Sequence, residues 1–153
     1  MDPIATPPKG LMENVSKIFR AIGKGHWAHI PVEPYKKNTD AYQGITRREL
    51  VGKRGETTDF HLRYFEIEKG GFSTLEKHEH EHVVVVLHGH GQVRIGCNIS
   101  DIGPGDVVYV SPSDPHQFLN LDHDEPFGFL CIVNAERDRP QMVDGEGFCE
   151  ICE

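Results

Sequence analysis

Glu76-Lys77-His78-Glu79-His80-Glu81-His82 runs without a break into Val83-Val84-Val85-Val86-Leu87. Glu76, His78, His80 and His82 are potential metal ligands at alternate positions. His78 and His82 are also four apart, a spacing that places two ligands on one face of a helix in zinc proteases. The valines argue against a helix, because β-branched side chains lose χ1 freedom there and pack well on a pleated strand. Read as extended chain, the alternating ligands share one face.

Extended geometry limits what that face can bind. Residues two apart lie about 6.6 Å apart and residues six apart about 20 Å. Glu76 and His78 can therefore converge on one ion, whereas Glu76 and His82 cannot unless the chain bends. A bend over residues 79–81 would fold His82 back over the first pair. Another ligand is expected from elsewhere, and His116 is the candidate. It follows a Gly105-Asp106 turn, the apolar run Val107-Val108-Tyr109-Val110 and the Pro-bounded loop Ser111-Pro112-Ser113-Asp114-Pro115.

Further out, strand-like runs recur at 42–51, 60–68, 72–78, 82–87, 92–96, 98–102, 107–110, 117–121 and 127–134. Between them stand Gly70-Gly71, Gly89-His90-Gly91, Gly103-Pro104-Gly105, Ser111-Pro112 and the polar stretch 122–126. Short strands at this spacing predict an antiparallel sandwich or barrel. The 16 Gly and 10 Pro in 153 residues agree with a turn-rich all-β domain of ordinary size. Residues 1–10 read as a flexible tail. Residues 11–40 read as an N-terminal helix, with Leu11, Met12, Val15, Ile18, Phe19 and Ile22 at helical spacing, followed by an irregular arm. Residues 41–135 form the barrel, and 136–153 a tail ending in Cys149-x-x-Cys152.

The formal charge of −8 and the absence of a basic stretch argue against nucleic acid as a partner. No run reaches membrane-spanning length and the N-terminus lacks a signal-peptide pattern, so a cytoplasmic protein with no membrane partner is expected. Its four Cys are then expected to be reduced.

At this point the chain resembles the cupin superfamily. The family's second motif is Gly, five residues, Pro-x-Gly, two residues, His, three residues, Asn. Gly105 to His116 keeps that spacing and Asn120 closes it, with Ser111 and Ser113 where Pro and the second Gly would stand. The first motif is Gly, then His-x-His, three or four residues, Glu, six residues, Gly. Anchored on Gly89, it places His82 at the Glu position, His78 at the second His and Glu76 at the first. The competing assignment takes His80 in place of Glu76. The resemblance spans about residues 64–133 and implies a single all-β cupin β-barrel, a double-stranded β-helix or jelly roll. It also implies a divalent transition metal on Glu76, His78, His82 and His116, with His80 spared in the turn. Iron is the expectation, with Mn, Ni, Zn or Cu also suited to such donors.

His61 and Arg63 share a face of the 60–68 strand. Turned inward, Arg63 could bind a substrate carboxylate and His61 could act as acid or base. Tyr109 is a further candidate catalytic or pocket residue. Cys131 reads as a buried small hydrophobe. The resulting expectation is a homodimeric, metal-dependent enzyme acting on a small polar substrate. By the family's commonest chemistry it would be a non-haem iron dioxygenase. The alternatives are a metal-dependent isomerase or lyase, and a non-catalytic sensor of a small molecule or metal.

Overall fold

Thirteen short strands follow one another in a computed structural model that describes residues 7–36, 41–137 and 141–143. In chain order they are β1 (Ala21–Gly23), β2 (His26–Trp27), β3 (Glu33–Pro34), β4 (Gln43–Val51), β5 (Phe60–Phe72), β6 (Glu76–Lys77) and β7 (His82–His88). Then come β8 (Gly91–Ile95), β9 (Asn98–Ile102), β10 (Val107–Val110), β11 (His116–Asn120), β12 (Phe127–Asn134) and β13 (Gln141–Met142). All pairings are antiparallel.

One side of the curled sheet is β3-β4-β5-β12-β7-β10; the other is β9-β8-β11-β6-β13. β5 joins them. Its first part pairs with β12 along Phe60 to Ile67, and its end pairs with β11 through Gly71 and Phe72. Two strands had been expected here, at 60–68 and 72–78. Instead β5 runs through the glycines as a bulge, with Gln43 opposite Phe72 and Ile45 opposite Ile67. Gly70 has φ +79°, a conformation open to glycine at no steric cost, so the Gly pair bends the strand rather than ending it.

Period-two burial sorts the side chains. β7 turns His82, Val84 and Val86 inward, β11 turns His116, Phe118 and Asn120 inward, and β12 turns Phe127, Phe129, Cys131 and Val133 inward. The core they build also takes Ile45, Phe65, Ile67, Val93, Ile102, Val108 and Val110. The His-bearing faces are therefore the core-bearing faces, and the imidazoles enter the barrel where the apolar filling stops.

The helix expected in 11–22 does not form; among the described residues there is no helix at all. The segment makes turns and ends in β1. Lys17 Nζ donates to the carbonyls of Leu11, Glu13 and Arg54 at 2.8 Å each and pairs with Glu56 at 2.7 Å. Those carbonyls are thereby drawn into a tight turn around the ammonium. Of the helical-period residues, Met12, Val15, Ile18 and Ile22 are exposed, so no partner surface rewards a helix too short to stand alone. The arm beyond it does pack: Trp27 meets Tyr64 edge to face at 5.0 Å, an aromatic anchor of a loop on a sheet.

The C-terminal residues are not only a tail. β13 pairs with β6, Met142 opposite Glu76. Cys131 is a free buried thiol, whereas Cys97 is disulfide-bonded, contrary to the reduced state expected for all four. Cys149 and Cys152 lie outside the described residues, as do residues 1–6 of the expected N-terminal tail. Among the described residues no helix is long and apolar enough to cross a membrane.

Candidate metal centre

The His-rich run makes the bend that strand geometry demands. β6 ends at Lys77, the chain bends at Glu79 and His80, and β7 starts at His82. Two contacts lock the bend. His78 Nδ1 donates to the His80 carbonyl at 2.7 Å, and the Ser113 amide donates to the His78 carbonyl at 2.7 Å. The second joins the bend to the loop that delivers His116. That loop is held by Ser111 Oγ on Asp114 Oδ2 and by Ser113 Oγ on Glu79 Oε1, both at 2.7 Å. Ser113 sits at φ +68°, the left-handed region that favours glycine. This is the place where the family motif has its second Gly.

His78, His82 and His116 offer ring nitrogens that all lie within 4.8 Å of one another, and all three are buried. Carbonyls only accept, so the Nδ1 of His78 and of His116 must carry the proton: the former bonds the His80 carbonyl, the latter the Asp114 carbonyl at 2.9 Å. Their Nε2 lone pairs are left for the cavity. His78 Nε2 is buried and has no hydrogen-bond partner. His82 Nδ1 lies 3.2 Å from Cys131 Sγ. Burial, then the neighbouring His116, pushes the His78 pKa down to about 4. Burial first lowers those of His82 and His116 as well. Three neutral imidazoles, each braced from behind and one with an unsatisfied nitrogen, fit a divalent transition metal.

The other residues of the run are placed differently from one another. Glu76 is buried beside the trio, opposite His116 across β6 and β11. Its Oε2 accepts from Thr74 Oγ1 and pairs with Lys36 Nζ. His80, expected to be spared, is outside the converging trio yet is no surface residue, being 7% exposed. Its ring stacks on His78 at 3.7 Å, and its Nε2 is 3.3 Å from His82 Nε2.

These residues line a cavity that opens to solvent. Its apolar wall is Ile45, Phe65, Phe118 and Phe129; its polar wall adds Lys36, Arg47, Arg63, Thr74 and Arg137. Of the three residues singled out for catalysis, Arg63 lines the cavity. His61 does not; its Nδ1 accepts from Arg137 Nη1 at 3.1 Å, so it braces that arginine. Burial, then Arg137, lowers its pKa and keeps it neutral for this role. Tyr109 is corrected outright: it is 58% exposed on the outer face of β10, because the inward positions of that strand are Val108 and Val110. Alternation could not decide this, since both faces of 107–110 are apolar. Lys36, Arg47 and Arg137 escaped the sequence reading, and Cys131 was read there only as a buried hydrophobe. Arg47 and Cys131 had only strand parity as a signal, and Lys36 and Arg137, outside the strands, had none.

A family model described as a cupin domain matches residues 63–133. The chain is similar to a 1-methylthio-D-xylulose 5-phosphate methylsulfurylase of Rhodospirillum rubrum, 42% identical over 117 residues, 76% of this chain and 73% of that protein. Among solved structures it is similar to a cupin 2 conserved barrel domain protein from Rhodopseudomonas palustris. They are 38% identical with a TM-score of 0.79, over 88% of this chain and 91% of that one. It is also similar to a cupin-2 domain protein from Rhodospirillum rubrum, at 36% identity and a TM-score of 0.74 over 88% of each chain.

Proposed function

We propose, from the premise that this chain belongs to the cupin superfamily, that it is a metal-dependent enzyme transferring the methylthio group of a small ketose phosphate to an external thiolate: the thiolate attacks the methylthio sulfur to give a mixed disulfide, the carbon–sulfur bond breaks, and the carbon left behind takes a proton. 1-Methylthio-D-xylulose 5-phosphate or a close analogue is the substrate we assign. The observation that carries this is the convergence of neutral His78, His82 and His116 on a cavity whose wall also holds Lys36, Arg47, Arg63 and Arg137. The similarity to the methylsulfurylase supports the choice of substrate.

A bound divalent ion would supply Lewis acidity toward a carbonyl oxygen. The chain's own residues do the rest. The apolar wall of Phe65, Phe118 and Phe129 excludes water from the reacting carbon. Glu76 is the one carboxylate among the described cavity residues and can hold a proton there. Lys36 and Thr74 fix its orientation. Tyr35 is held protonated, by burial and then by Glu76, and so contributes a hydroxyl and not a base.

The test is turnover of 1-methylthio-D-xylulose 5-phosphate by metal-replete protein with a small thiol present, followed as appearance of the methylthio mixed disulfide. His116→Ala should lose both bound metal and turnover. No turnover by protein carrying stoichiometric metal would refute the assignment. A second reading, a non-haem iron dioxygenase, is favoured by the all-imidazole trio, since imidazole donors suit iron as well as zinc, copper and nickel. Substrate-dependent oxygen consumption by the iron-loaded protein separates the two.

A further inference from the structure

We infer that Arg63 and Arg137 form a subsite for a phosphate monoester, holding that end of the ligand while its other end faces the three imidazoles. The inference rests on the ketose-phosphate reading above and adds the residues and the direction in which the substrate lies.

The cavity carries more positive charge than its own acids can neutralise. Of its cations, Lys36 pairs with Glu76, and Arg47 pairs with Glu33 and Glu49. Arg63 and Arg137 have no carboxylate partner among the described residues. Glu49 lies opposite Arg63 in the β4–β5 register, but its Oε1 pairs with Arg47 and its Oε2 bonds to neither Arg63 nor Arg137, although its charge is felt by Arg137. This surplus lies inside a chain with a formal charge of −8, so it is local and not a consequence of composition.

Arg63 is held rigid and left unsatisfied. Its guanidinium lies over the Phe65 ring, 4.9 Å from the centroid. One Nη reaches only Cys131 Sγ, at 3.6 Å, and its Nε is buried with no partner. A guanidinium presents five donors in a planar fork, and buried donors without acceptors are costly. Arg137 is fixed by Nη1 alone, which donates to the Asn134 and Ala135 carbonyls at 2.8 and 3.4 Å and to His61. Burial, followed by the charge of Arg63, lowers its pKa, as expected of two like charges sharing one space. A doubly charged anion between them relieves that repulsion and satisfies the open donors at once.

The direction follows from contacts. Cys131 Sγ touches His82 Nδ1 on one side and Arg63 on the other. The anion subsite is thus one side chain removed from the imidazoles, within the span of a short sugar phosphate. A phosphate at Arg63 leaves the far end of the sugar beside His78, His82 and His116.

The experiment is calorimetric titration of the metal-loaded full-length protein with D-xylulose 5-phosphate, D-xylulose, D-xylonate and inorganic phosphate. The ester should bind much more tightly than the free sugar, and inorganic phosphate should compete with it. Arg63→Met and Arg137→Met should each weaken the ester by about 30-fold, the loss expected for hydrogen bonds to a charged group. Their affinity for D-xylulose and their metal content should be unchanged. Arg63→Lys, which keeps the charge and loses the fork, should fall between. Equal binding of ester and sugar by the wild type overturns the subsite without any variant. So does tighter binding of D-xylonate than of the ester, or an Arg63→Lys protein that matches the wild type together with an unaffected Arg137→Met. The two readings fail separately: phosphate preference without turnover of the methylthio substrate sinks the reaction and keeps the subsite, and turnover without phosphate preference does the reverse.

Discussion

A thiol is an unusual brace for an imidazole, and Cys131 is the brace of His82. Its partners in the other two cases, the carbonyls of His80 and Asp114, are strong acceptors that fix the tautomer. The Cys131 thiol is pushed up in pKa by burial, so it stays protonated and offers His82 only a weak acceptor. For His82 Nε2 to face a metal with its lone pair, Nδ1 must hold the proton and point it at that sulfur. Cys131→Ala removes the acceptor and leaves the ring free to turn. We expect metal affinity to fall about 10- to 100-fold, the usual cost of losing such an outer partner, and Cys131→Ser, with a better acceptor, to restore it. Competition with a chromophoric chelator reads this directly. An alanine variant that binds metal as well as the wild type would show that the thiol only fills space. The sequence reading of Cys131 as a small buried hydrophobe was right about burial. It missed the contact because strand parity says which face a residue takes, not which inward neighbour it meets.

The loop 111–116 and the bend 78–81 form one unit, since Ser113 gives its amide to His78 and its hydroxyl to Glu79. Ser113 holds this place at φ +68°. A β-branched residue there is strained by about 1–3 kcal/mol. Ser113→Val should therefore destabilise the protein by roughly that amount and loosen the delivery of His116. Ser113→Gly relieves the strain while losing one hydroxyl contact, and its net change should be within about 1 kcal/mol. Chemical denaturation of the two variants decides it; equal losses would mean that the backbone conformation is not the constraint. Elements of this kind were legible in part. Valine alternation after His82, the Gly and Pro punctuation and the spacing from Gly105 to Asn120 all correspond to strands or turns of the barrel. Asn120 closes its motif for a visible reason: its side chain ties the Ile67 and Glu125 carbonyls and the His123 amide together. What sequence could not give was anything set by tertiary competition. The 3.6-residue period of 11–22 is real, but the Lys17 ammonium captures the carbonyls a helix would need. Gly70-Gly71 reads as a stop and acts as a bend, because whether a bulge continues depends on the strands beside it.

The converging imidazoles come from two regions far apart in the chain, one on each side of the barrel. His82 begins β7, which lies against β12 and β10; His116 begins β11, which pairs with β5, β6 and β8. An ion held by both regions closes the barrel at the end where apolar filling gives way to the cavity. Ligand binding to the native state alone stabilises by mass action, about 2.7 kcal/mol at a free metal concentration 100-fold above Kd. For a chain of this length that corresponds to a rise in Tm of about 5–10 °C. Thermal melts of chelator-treated protein with and without added Fe(II), Mn(II), Ni(II) or Zn(II) should show such a rise for the ion the site prefers. His116→Ala should abolish the rise while keeping the baseline fold, because Phe118 and Asn120 still anchor β11 in the core. Glu76→Gln should keep most of it if the carboxylate serves Lys36 and Thr74, and should lose much of it if the carboxylate also takes the ion. The melt thus separates the role of Glu76 from that of the trio. A metal effect that survives in His116→Ala would place the ion somewhere other than between these two regions.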